Sequence, residues 1–179
     1  MHSDRRKGRQ AALQVLYCIE STGDPIETAL QGVSEIAFIS GPAKAYAVRL
    51  GVEVLARQKD LDAMIAEVAE RWDVRRLARV DRTLLRMALA EMLCFDDVPV
   101  KVSIDEAIEL GKRFGGEDSS AFINGILDAI VKKHGITKPI SSINPEVQSP
   151  ESRVQSPESL VLILTLDPGP WTRDCFFDF

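Results

Sequence analysis

Four cations fall within about one helical turn near the start of this 179-residue chain: Arg5, Arg6, Lys7 and Arg9. Cations packed that densely can contact several phosphates, each contact releasing counterions from a nucleic-acid backbone. The cluster can equally be a solvated helix start, as most charge runs are. It opposes the positive end of the helix dipole, so helix stability does not explain its placement. A second candidate is FGGEDSSAFINGIL, Phe114 to Leu127. Gly115-Gly116 suit a tight turn or positive φ, and Asp118, Ser119 or Ser120 can cap the amides that follow. Phe122 stands one turn past that cap. It is a core residue by default, and a platform for an unpaired base where it is partly exposed.

Arg75, Arg76, Arg79, Arg82 and Arg86 could extend a basic surface. Asp73 and Asp81 lie among them as helix caps and salt-bridge partners, so the structural reading is preferred there. Signatures of catalysis are missing: no GxGxxG after a strand, no GxxxxGK[ST], no GxSxG. Cys18, Cys94 and Cys175 lack CxxC spacing, and His2 and His134 are the only histidines. Neither a metal nor another cofactor is expected. Asp96-Asp97 and Glu117-Asp118 read as loop and cap residues. An enzyme is the less favoured class.

These residues must be carried by helices, because apolar positions recur at helical spacing up to about residue 135. The first helix covers roughly Asp4 to Glu20. The second opens at DPIE, with Asp24 as cap, Pro25 first in the helix and Glu27 closing a capping box. The third follows Gly41-Pro42. The fourth shows Leu61, Ile65, Val68, Ala69 and Trp72. After a short helix capped by Asp73, Asp81 caps a longer one whose apolar run from Leu84 to Leu93 makes it central. SIDE reads as another capping box, Ser103 with Glu106, opening a helix that Gly115-Gly116 end. The last helix stops at Gly135. Six or seven helices with short loops make an all-α bundle.

The formal charge of -5 gives no general affinity for nucleic acid, so any basic footprint is local. Cys18 and Cys94 read as small core residues of a protein in a reducing cytosol. The basic start is not followed by a signal-peptide pattern, and LVLILTL (Leu160 to Leu166) is too short to span a bilayer. A soluble, cytoplasmic protein is expected. After Lys138 the composition turns Pro/Ser-rich, and VQSPES occurs twice. Residues 139–179 are expected to be a poorly ordered appendage to a domain over 1–138.

The stretch DVPVKVSIDEAIELGKRFGGEDSSAFINGILDAI closely resembles the NusB family of bacterial transcription antitermination factors. RRKGRQAALQVLY and VDRTLLRMALAEML agree with the same family, in its order, so that most of residues 5–133 are covered. The resemblance implies about seven helices in two subdomains and no enzymatic activity. It implies binding to the boxA sequence of nascent RNA together with NusE, a small-subunit ribosomal protein. Other Nus factors and RNA polymerase would complete an assembly that supports processive transcription of ribosomal RNA operons. By position, Arg5, Arg6, Lys7, Arg9 and Phe122 match the family's RNA-binding residues. Asp118 matches the acidic position beside the RNA, and Asp81 the acidic position of the partner face. Two departures stand out. Ser120-Ala121 lack a basic residue that many relatives carry before the aromatic, and Gly111 replaces an alanine at about 1 kcal/mol of helix propensity. One alternative is the NusB-like module of a ribosomal-RNA cytosine methyltransferase, which needs a cofactor-binding domain that residues 139–179 are too few to hold. Another is a helical scaffold with no RNA role.

Overall fold

The helical periodicity is realised as seven α-helices in a computed structural model that describes residues 2–37, 39, 41–69 and 74–137. They are α1 (His2–Thr22), α2 (Ile26–Ala37), α3 (Gly41–Ala56), α4 (Gln58–Val68), α5 (Arg79–Cys94), α6 (Val100–Phe114) and α7 (Ser119–His134), with a 3₁₀ turn at Val74–Arg76. Strands are absent among the described residues, as an all-α fold requires. Trp72, Asp73 and the appendage at 139–179 lie outside the described residues.

Small residues set the helix crossings. Ala11, Ala12, Ala43 and Ala47 are buried, and α1 packs along α3 and against α2. Gly8 makes the closest approach: a Cβ there would stand 2.9 Å from both the Ala43 carbonyl oxygen and the Tyr46 Cβ. Helices α4 to α7 form the second group. The apolar run of the sequence becomes α5, which touches α1, α3, α4, α6 and α7. Leu84, Leu85, Leu89 and Met92 are almost fully buried on it. At about 1.5–3 kcal/mol for each fully buried side chain, this helix is the main apolar anchor of the bundle.

Several caps differ from expectation. Helix α6 starts at Val100, three residues before Ser103, because Pro99 has the extended ψ of a cap (142°) and its carbonyl accepts the Val102 N–H at 3.0 Å. Ser103 and Glu106 therefore lie inside α6 and form no capping box. Helix α5 starts at Arg79 after Ala78, so Asp81 is in the first turn and is not the cap. Asp118 holds the cap position of α7 but makes no side-chain capping bond; the Ser119 hydroxyl instead accepts the Gly116 N–H at 2.8 Å. Pro25 precedes α2 rather than opening it, and its carbonyl accepts the Ala29 N–H.

Gly115 has φ −95°, not the positive φ considered for this turn. Its need for glycine is steric, since a Cβ would meet the Ser119 side chain at 2.5 Å. Gly135 does adopt a left-handed φ of 60° and ends α7 where expected. A Cβ on Gly111 would come within 2.8 Å of Ile123 Cδ1, so the glycine's low helix propensity accompanies a close α6–α7 contact. Cys18 and Cys94 are half-buried rather than core residues.

Candidate nucleic-acid interface

The four N-terminal cations do not share one environment. Arg9 points inward and is 5% exposed. Its Nε and Nη2 donate to the two oxygens of Glu91 on α5, at 2.8 and 3.1 Å. Tyr46 of α3 donates its hydroxyl hydrogen to Glu91 Oε1, and Ser103 of α6 donates to Oε2 at 2.6 Å. One buried carboxylate thus gathers α1, α3 and α6 around α5. The Arg9 guanidinium also lies 5.5 Å from the centre of the Tyr46 ring, which meets the Phe95 ring in a tilted arrangement with centroids 5.2 Å apart. Burial pushes the Tyr46 phenol above its ordinary pKa, and the Glu91 charge pushes it further. Burial alone would lower the Arg9 pKa, but the hydrogen bonds and charge of Glu91 outweigh it and the net shift is upward. Both groups keep their protons.

Arg9 is thereby removed from the set of exposed phosphate contacts. Arg5, Arg6 and Lys7 remain at the surface. Arg5 donates to the backbone carbonyl of Asp97 at 3.2 Å and to its carboxylate. Arg6, with a side chain 65% exposed, turns one edge onto Glu106 through bonds of 2.8 to 3.2 Å. That pairing raises the Arg6 pKa. Glu106 also faces Arg9, 3.6 Å from its Nη1. Lys7 is exposed and has no ion pair among the described residues.

Helix α6 connects this basic end to the start of α7. Arg113 reaches Gln10 of α1 at 3.5 Å and lies over the Phe114 ring, immediately before the Gly115-Gly116 turn. Beyond that turn Asp118 is exposed and Phe122 half-buried. The mixed burial of Phe122 is what a residue must have to pack inward and still offer a ring edge or face outside.

Three of the second group of arginines, Arg79, Arg82 and Arg86, are engaged by residues of other helices, while Asp73 and the Arg75 side chain lie outside the described residues. Arg79 donates to the Ser21 hydroxyl at 2.6 Å and lies over Tyr17. Arg82 pairs with Glu20, and Arg86 forks onto Asp62 at 2.7 and 2.8 Å. Asp81 is 9% exposed, and its Oδ1 is buried with no hydrogen-bond partner among the described residues. The described residues contain no cluster of His, Cys, Asp or Glu suited to a metal, and no helix long and apolar enough to cross a membrane.

Glu91, Tyr46, Ser103, Glu106 and Asp97 are absent from the site expected from sequence. Two signals pointed to the buried pair. Arg9 stands three and four residues before Ala12 and Leu13, on the apolar stripe of α1. Glu91 and Arg86 are the only charges between Leu84 and Cys94, and a charge on a buried face needs an opposite partner.

The family model described as the NusB family matches residues 6–132. The transcription antitermination protein NusB of Salinibacter ruber is 39% identical over 130 residues, covering 72% of this chain and 81% of that protein. Its counterpart from Desulforudis audaxviator is 40% identical over 129 residues, covering 72% of this chain and 94% of the relative. The solved structure of T. maritima NusB superposes with a TM-score of 0.68 at 36% identity, over 75% of this chain and 93% of that one. A crystal structure of antitermination factors NusB and NusE in complex with dsRNA contains a chain with TM-score 0.67 and 26% identity, covering 74% and 99%. Fold, family match and overall sequence likeness coincide over the same helices, and the chain belongs to the NusB family.

Proposed function

We propose that this chain is a transcription antitermination factor that binds boxA-containing nascent RNA together with NusE, works with other Nus factors and RNA polymerase in the cytoplasm, and catalyses no reaction. The observation that carries the reading is the basic end of α1. Three cations stay at the surface there while Arg9 is locked beneath them, so the helix start is held by the core and still presents charge. The relatives' names and the solved complex of NusB and NusE with dsRNA support the same reading. Phe122 serves as a stacking surface for an unpaired base. Asp81 belongs to the NusE-facing side.

The test is a titration of boxA RNA, with and without NusE, for the wild type and for a variant with Arg5, Arg6 and Lys7 all changed to Gln. Arg9 is left intact, because its removal would confound RNA binding with folding. The triple variant is expected to keep its helicity, bind more weakly and show a slope of log affinity against log salt shallower by up to about 2, at roughly 0.7 per phosphate contact on a single strand. An unchanged slope would leave these cations as a solvated helix start.

Asp118→Asn removes one negative charge near the same RNA. The Asp118 side chain makes no capping bond, so the melting midpoint should stay within experimental error. RNA affinity should be equal or higher, since like-charge repulsion within a Debye length is relieved. Weaker binding would mean instead that the carboxylate accepts a hydrogen bond from the RNA.

A further inference from the structure

Two cations of the basic end, the half-buried Arg5 and the exposed Arg6, already hold carboxylates, and the two carboxylates are held very differently. Glu106 is 15% exposed, inside α6, and gripped by Arg6 along one edge with Arg9 behind it. It has nowhere to swing. Asp97 lies in the turn between α5 and α6 with its side chain 58% exposed, and among the described residues its carboxylate pairs with Arg5 alone. A carboxylate and a phosphate present the same charged oxygens to a guanidinium. We propose that Asp97 occupies Arg5 in the free protein as a stand-in for an RNA phosphate, and that RNA binding displaces it.

This inference rests on the RNA-binding reading above and adds a residue that sets affinity against the phosphates. The Asp97 backbone carbonyl, which also accepts from Arg5, stays in place when the carboxylate leaves. Arg5 is therefore oriented throughout the exchange, while its charge is neutralised only until a phosphate arrives. Separating an exposed ion pair is a small penalty, so Asp97 attenuates binding and does not block it. Glu106 acts in the opposite sense. It fixes one edge of Arg6 and leaves Nη1, which takes no part in the Glu106 hydrogen bonds, for the RNA.

Asp97→Asn separates these roles, because the amide is of the same size and the backbone carbonyl remains. Four proteins are titrated with single-stranded boxA RNA: wild type, Asp97→Asn, Arg5→Gln and the double variant. Asp97→Asn is expected to bind about two- to fivefold more tightly, the range of an exposed ion pair. Its salt slope should steepen by up to about 0.7, one phosphate contact. In the Arg5→Gln background the same change should have no effect beyond error. Should asparagine lower the melting midpoint, Asp97→Ser gives a second neutral variant with the same expected sign.

An equal gain in both backgrounds would assign the effect to long-range repulsion and overturn the exchange. So would wild-type binding with no gain, or a loss, in Asp97→Asn. Failure of all four proteins to bind RNA would overturn the functional reading as well.

Discussion

Glu91→Ala is expected to lower folding stability by about 3–5 kcal/mol, the range for removing one member of a buried ion pair. The carboxylate is 2% exposed, and its removal strands the Arg9 guanidinium together with the Tyr46 and Ser103 hydroxyls. Against a total stability of roughly 5–15 kcal/mol, such a loss leaves a substantial unfolded fraction. Arg9→Ala should be comparably harmful, because it abandons a buried carboxylate. The paired replacement Arg9→Met with Glu91→Leu should recover part of the loss, since it leaves no buried charge of the pair unmatched while the Tyr46 and Ser103 hydroxyls still lack their acceptor. Urea unfolding of the three variants measures all of this. A single-variant loss below about 1 kcal/mol would show that the pair is solvated and that Arg9 is available to ligands after all.

Phe122→Ala should weaken boxA RNA binding by about one order of magnitude or more, given roughly 1–3 kcal/mol for a base stacked on an aromatic. A fully buried phenylalanine would instead lose about 3–5 kcal/mol of stability on truncation. Phe122 is half-buried, so its stability loss should fall short of that range while the RNA effect remains. Ile123, its neighbour on α7, is fully buried and supplies the contrast. Ile123→Ala should lower the melting midpoint more and change RNA affinity per folded molecule less. Melting curves and titrations on the two proteins decide between the roles. Normal RNA affinity in a strongly destabilised Phe122→Ala would sink the stacking reading.

The helices were legible because each depends on a local pattern. Leu84 to Leu93 announces a central helix, and Gly135 a stop, within one or two turns of sequence. The helix starts were less legible, since a cap is decided by backbone angles that side-chain type only biases. Ser103 and Glu106 have capping-box spacing, yet Pro99 already starts the helix, and both side chains are engaged by residues on other helices. The candidate site divides the same way. The basic cluster could be read directly, whereas the inward turn of Arg9 needed the periodicity of α1 to be applied to a charged residue. The carboxylates on Arg5 and Arg6 were out of reach, since those contacts join residues 92 and 100 positions apart. Only the folded chain brings them together.

That separation also orders events in time. A ribosome makes Arg5, Arg6 and Arg9 first, but the residues that hold them emerge some 80 to 100 positions later. At synthesis rates of about 5–20 residues per second, the basic start of α1 waits roughly 4–20 s for its anchors. Through that interval its cations lack the carboxylates that hold them in the folded chain. Once Glu91 and then Glu106 are released, Arg9 is drawn inward and Arg6 is clamped. The basic start of α1 therefore gains these native contacts only after α5 and much of α6 have been made.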